Sequence, residues 1–294
     1  MRRKENIYGY IFILPWIIGF LGLILGPMLF SLYGSFTNYN VTSTMDFIGL
    51  DNYKEMFQHD NLFFTSLYNT MYFVVFSVPL TTIMAILISV LMNQNIPGMR
   101  VFRTIFYLPA ILSGVGVYLL WMQLLDPSSG LINRFLELFG IQGPNWLFDA
   151  AWAKPSLIIM KLWSAGGAML LYLSAMQGIS NSLYEAAKIE GASRVQMFFK
   201  ITLPMISPII FFDIITSTIG SFQIFQEAYI MSSDNAGSPE NSLLFYNLHM
   251  WIKAFEVFDM GYAMALSWIL FIIVLILTVV NFIAAKYWVH YEDE

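Results

Sequence analysis

The chain has 294 residues, of which 58% are apolar and 11% charged, with a net charge of −5. A soluble domain carries about 25% charged residues, so a pair of soluble domains, a disordered chain and a basic nucleic-acid binder are all excluded. The absence of cysteine removes a disulfide scaffold, a thiolate metal site and a cysteine nucleophile. The composition is that of an integral membrane protein.

Six stretches are apolar and long enough to cross a hydrocarbon core of about 30 Å: residues 9–36, 63–93, 102–125, 155–178, 204–231 and 262–287. None alternates as a barrel strand does. An all-α bundle of six transmembrane helices is therefore expected, since helices satisfy their own backbone in lipid. The first run exceeds a signal-peptide core of about 7–15 residues and reads as a retained helix bent at Pro15 and Pro27. Basic residues then set the orientation. Arg2, Arg3, Lys4, Arg100, Arg103, Lys188, Arg194, Lys200 and Lys286 fall on one side; Lys54, Arg134, Lys154 and Lys253 fall on the other. The richer side is cytoplasmic, which places both termini inside. Residues 1–61 form a tail, the first helix and an external loop, and residues 62–294 form a core of five helices.

Between the third and fourth spans, residues 130–140 set Leu131, Phe135, Leu136 and Leu138 on one helical side. Residues 240–257 are likewise apolar, and both segments are expected along the outer interface or over a cavity mouth, either as interfacial anchors through Tyr246 and Trp251 or as docking sites for an external partner. His59, His249 and His290 are too scattered for a metal site, and no phosphate loop, nucleophile elbow or zinc-protease motif occurs. No enzyme activity, metal or cofactor is expected of this chain.

The loop NSLYEAAKIEGASRVQMFFKITLP, residues 181–204, is the most informative stretch. Asn181 or Ser182 is placed to cap a helix, with Glu185 at capping-box distance from Ser182. Gly191 stops that helix, Ser193 caps a second with Val195, Phe198 and Phe199 on its apolar side, and Pro204 starts the next span. The product is a helical knob with an acid near its start, shaped to enter a partner's groove.

This loop resembles the EAA loop of ABC importer permeases: Glu185-Ala186-Ala187, Gly191-Ala192, Ile201 and Leu203-Pro204 match it in order and spacing, with Glu190 where many relatives have Asp. Residues 14–36, 49–57, 219–231, 258–278 and 286–292 also look like the carbohydrate-uptake branch, the maltose/glycerol-phosphate permease type. The resemblance implies a type I importer fold in a bacterial plasma membrane. It also implies a second homologous permease subunit, an ATPase dimer that holds ATP and magnesium, and an extracellular or periplasmic sugar-binding protein. The ATPase contact would fall on Glu185, Ala186, Ala187 and Gly191, and the cargo would be a di- or oligosaccharide.

A solute path needs polar groups inside the bundle, where they are costly. In the fifth span Asp213, Ser217 and Ser221 recur every four residues, beside Thr216, Gly220, Gln223 and Glu227, giving one expected polar stripe. The fourth span adds Lys161, Trp163 and Ser164, then Gly166 and Gly167; the third adds Ser113, Tyr118 and Trp121. Substrate contact is assigned to Asp213, Ser217, Ser221, Gln223, Glu227, Ser164, Trp163 and Ser113, against the alternatives that small polar residues pack helices and that Asp213 and Glu227 pair with Lys161 or a partner subunit to hold the bundle together. An ion-coupled secondary transporter is the rival function. It calls for repeated halves, broken helices and an ion site, yet no repeat is visible and Asp213 is the one acid deep in a span.

Overall fold

A computed structural model describes residues 12–41, 44–94, 96–112 and 114–290. Arg2, Arg3, Lys4 and the candidate Ser113 lie outside the described residues. Among the described residues the fold is all-α, and extended pairing is limited to isolated bridges such as Thr37 to Phe47. Three spans are continuous, Phe12–Gly34, Asn61–Met92 and Met260–Ala285. The other three are bent pairs: Met99–Ile111 with Val115–Leu124 at 105°, Ala150–Trp163 with Gly166–Gly178 at 43°, and Arg194–Met205 with Ser207–Phe222 at 64°. Counting each pair as one span gives six.

The sequence marks the third, fourth and fifth spans only as apolar stretches, and the structure shows each of them broken. The fifth also ends at Phe222, and Gln226–Met231 is a separate helix. Hydropathy averages over a window and does not register a two-residue interruption, whereas Pro109, Gly114 and Pro208 in the sequence mark where the ladder fails. In the first span, Pro27 follows a π-helical turn, Phe20–Leu25, which loosens the backbone just before the residue that lacks an N–H.

Contacts divide the chain into two units, residues 1–61 with 250–273, and residues 62–249 with 274–294. In the first, Asn52 Nδ2 donates to the carbonyls of Ser35 and Thr37 at 2.9 Å each. Asp60, buried, accepts from the Tyr262 hydroxyl at 2.6 Å and faces Lys253 Nζ at 3.6 Å. These bonds tie the end of the first span to the start of the last.

In the second unit, Asn69 donates to the carbonyls of Asn241 and Leu244 and accepts from Lys154 Nζ. One polar side chain thereby fixes the 237–245 loop and the fourth span on the second helix. Tyr246 is fully buried and packs edge-on against Phe63 at 5.9 Å, so it is a core residue and not the lipid-interface anchor expected. Burial raises its pKa. Leu131, Phe135 and Leu138 of the 130–140 segment do stay exposed. Just before them Asp126 accepts the Ser129 and Ser128 backbone N–H groups and both hydroxyls, led by Ser129, and its pKa falls to about 2.

Small polar residues of the second span bond inward, as in membrane helix packing generally. Ser66 and Thr70 donate to carbonyls one turn back, and Ser89 reaches the Met169 carbonyl at 2.8 Å. Arg103 donates twice to the Met92 carbonyl, closing the end of that helix. Ala85, Ile86, Ala165, Tyr172, Met176, Ile206 and Ile210 form a buried cluster that joins the second, fourth and fifth spans.

At Gly166 the third and fourth spans nearly touch: a Cβ built there would lie 1.9 Å from the Phe106 carbonyl oxygen. The space belongs to backbone, which cannot rotate away. Gly166→Ala should therefore lower stability by about 1–3 kcal/mol, the usual range for overpacking. Gly167→Ala, whose new methyl would meet Ala110 Cβ at 3.6 Å, should not. Thermal unfolding of the two purified variants compares them, and equal midpoints would contradict the packing.

Candidate functional site: a cavity at the broken spans and an exposed helical knob

Two breaks meet at one cavity of about 270 Å³. The break of the third span contributes Leu112 and Gly114, the end of the fourth span's first half contributes Lys161, Trp163 and Ser164, and the helix after the fifth span contributes Glu227. Tyr118 completes the wall with its hydroxyl directed at the Glu227 carboxylate. Behind it, Trp121 is buried and meets Trp163 edge to face at 5.8 Å, which fixes the exposed indole of Trp163. The cavity thus offers a cation, a carboxylate, two hydroxyls and an aromatic face.

Of the residues assigned to the path, Trp163, Ser164 and Glu227 come together here. Asp213, Ser217, Ser221 and Gln223 do not line it. The expected single stripe is broken because the helix stops at Phe222; Gln223 is its exposed C-cap and Glu227 belongs to the next helix. Asp213 is buried and accepts from the Tyr172 hydroxyl at 2.5 Å, Thr82 at 3.4 Å and Ser217 at 3.3 Å. Three hydroxyls from three spans hold one carboxylate, a knot that the spacing of the fifth span alone could not disclose. Ser221 is buried, and the described residues give its hydroxyl no partner.

The second feature is the 181–204 loop. Its first helix, Asn181–Ile189, is capped by Ser180 and not by Asn181 or Ser182: Ser180 has extended backbone angles, and its hydroxyl accepts from the Ser182 N–H at 3.4 Å. Glu185 therefore completes no capping box, and it stays exposed. Gly191 takes φ +79°, the left-handed turn expected of it. Ser193 caps the second helix in a full capping box with Gln196, at 3.3 and 2.8 Å. Pro204 follows a π-helical stretch, Phe198–Thr202, and so lies within a continuous turn and does not begin the span.

One side of the loop is anchored. Tyr184, Phe198 and Ile201 pack against the cluster of Ala165, Tyr172 and Ile206, and the Tyr184 hydroxyl meets Thr202 Oγ1 at 2.9 Å. The other side is bare: Leu183, Glu185 and Ala186 are exposed, and Ile189 is 88% exposed. Ala187 and Gly191 border a shallow pocket of about 340 Å³ with Glu190, Gln196 and Lys200.

The Asp213 knot gives a direct test of its structural role. Asp213→Ala orphans the buried Tyr172 and Thr82 hydroxyls and the half-buried Ser217 hydroxyl, and should lower thermal stability by roughly 1–3 kcal/mol. Ser217→Ala removes one donor and should have a smaller effect. Unchanged unfolding midpoints for Asp213→Ala would contradict the knot.

The sequence profile described as "Binding-protein-dependent transport system inner membrane component" matches residues 56–289. The chain is 42% identical to the Probable ABC transporter permease protein YesP of Bacillus subtilis, covering 99% of this chain and 94% of that protein. It is 34% identical to the lactose transport system permease protein LacF of Rhizobium radiobacter, with coverage of 97% and 96%. Among solved structures, a permease chain of a bacterial alginate ABC transporter, in complex with a periplasmic protein carrying an alginate pentasaccharide, superimposes with a TM-score of 0.85. That chain is 25% identical, with coverage of 96% of this chain and 95% of its own length. The chain belongs to the family of binding-protein-dependent transport system inner membrane components, the non-catalytic permease subunits of ABC importers.

Proposed function

We propose that this chain is one half of the translocation pathway of an ATP-driven importer of di- or oligosaccharides in the bacterial plasma membrane. A second permease subunit completes the path, a binding protein delivers the saccharide from outside, and an ATPase dimer grips the 181–204 knob from inside. Both termini then lie in the cytoplasm, in keeping with the basic residues Arg100, Arg103, Lys188, Arg194 and Lys200 on that side. The named relatives transport lactose and alginate, which share only their saccharide chemistry. The cavity suits it: hydroxyls and a carboxylate exchange hydrogen bonds with sugar hydroxyls, and Trp163 offers a flat apolar face.

The observation that carries the coupling role is the two-sided knob. Its inner face is locked into the cluster shared by the second, fourth and fifth spans, while Leu183, Glu185, Ala186 and Ile189 stay exposed on its outer face. A rigid helix bared on one side and anchored on the other transmits displacement. Binding-protein docking and ATPase closure would jointly favour an outward-open state, because each binds that state more tightly. The ion-coupled alternative calls for broken helices, and this chain has them. They serve equally well to build a cavity, and the family assignment favours the ATP-driven route.

Glu185→Ala tests the knob's surface, and Gly191→Val tests its turn, since a β-branched residue at φ +79° is strained. In the assembled complex both should sharply reduce saccharide uptake and saccharide-stimulated ATP hydrolysis. Normal uptake and full stimulation in both variants would refute the coupling role.

A further inference from the structure

The cavity holds a charge that a neutral sugar does not require. Lys161 lies inside the fourth span, two residues before Trp163, and lines the cavity wall. Among the described residues its ammonium makes no ion pair. The cavity's other ionic group, Glu227, has the Tyr118 hydroxyl directed at it. A cation within a membrane span is expensive and is retained where water or an opposite charge meets it. The cavity's carboxylate, Glu227, makes no ion pair with Lys161, and an ammonium at the wall of the space where a solute would sit has three donors to offer.

Sorting the cavity's groups by what they recognise leaves one role open. Trp163 presents a ring face, Ser164 and Tyr118 present hydroxyls, and Glu227 accepts from sugar hydroxyls. Lys161 remains, matched to a carboxylate by charge. We infer that the cavity takes a uronic-acid residue of an acidic saccharide, with its carboxylate on Lys161 and its ring hydroxyls on Glu227 and Ser164. The inference rests on the importer reading above and names the class of its cargo. Glu227 repels the carboxylate and so sets the ring's direction. One cation beside one carboxylate neutralises a monoanion poorly and a dianionic phosphate worse, which favours the uronate. A volume of about 270 Å³ falls at the low end of ligand pockets, roughly 300–1,000 Å³, and suits one ring at a time as a chain threads through.

The test uses the complete complex, with its second permease, ATPase and binding protein, in proteoliposomes. The probes are digalacturonate, its methyl ester, a neutral digalactoside and galactose 1-phosphate, and the readout is stimulated ATP hydrolysis with uptake. Wild type should respond to digalacturonate roughly tenfold or more above the ester, the size of one charge-assisted hydrogen bond. Lys161→Gln should abolish that preference while ATPase co-purification is retained, and Lys161→Arg should restore it. Equal responses to acid and ester in wild type would overturn the inference without touching the importer reading. So would an unchanged acid response in Lys161→Gln, or a preference for the sugar phosphate. A complex stimulated by no saccharide at all, acidic or neutral, would remove the importer-of-saccharide reading and the inference with it.

Discussion

In lipid, a backbone amide has no water to turn to, so every interruption of a membrane helix must find its partners within the protein. This chain interrupts three of its six spans. Two interruptions, one following Ile111 and one following Trp163, border the same polar cavity, which is one of the few settings where exposed backbone is tolerated at membrane depth. The irregular backbone and the cavity explain one another. Trp163, Ser164 and Tyr118 sit at or just after these kinks and line the cavity, while the Leu112, Ser164 and Ala165 N–H groups keep carbonyl partners within their own turns.

The same constraint accounts for how the remaining polar side chains are used. Asp213 would be costly alone in a span; it is retained inside a set of three hydroxyls from the second, fourth and fifth spans. Ala165, at the break of the fourth span, belongs to the cluster on which Tyr184 and Phe198 of the 181–204 loop also pack. A continuous packed route therefore runs from the cavity's edge to the knob. The knob is thus packed against the second half of the fourth span, directly after the break that follows Trp163, and close packing transmits strain.

What the sequence disclosed follows the range of each signal. Hydropathy is a bulk property of about 20 residues, so the six spans and the all-α class were legible, and the breaks inside them were not. The loop's turn was legible at Gly191 and Ser193 because left-handed turns and capping boxes are written in four or five adjacent residues. Its first cap shifted by one residue to Ser180, the error usual at helix ends. Trp163, Ser164 and Glu227 meet at the cavity, but Asp213 and Ser217 turn to Tyr172 and Thr82, partners far away in the chain. Pairings across 41 and 131 residues leave no periodic trace in one sequence.

The account depends on the break in the fourth span opening to water and solute and not to lipid. Since the chain has no cysteine, Ser164→Cys introduces a single reporter thiol. A membrane-impermeant maleimide applied to the assembled complex in liposomes should label it, and the transported saccharide should protect it. A thiol that stays unlabelled in every state of the transport cycle, while the complex still transports, would contradict the account.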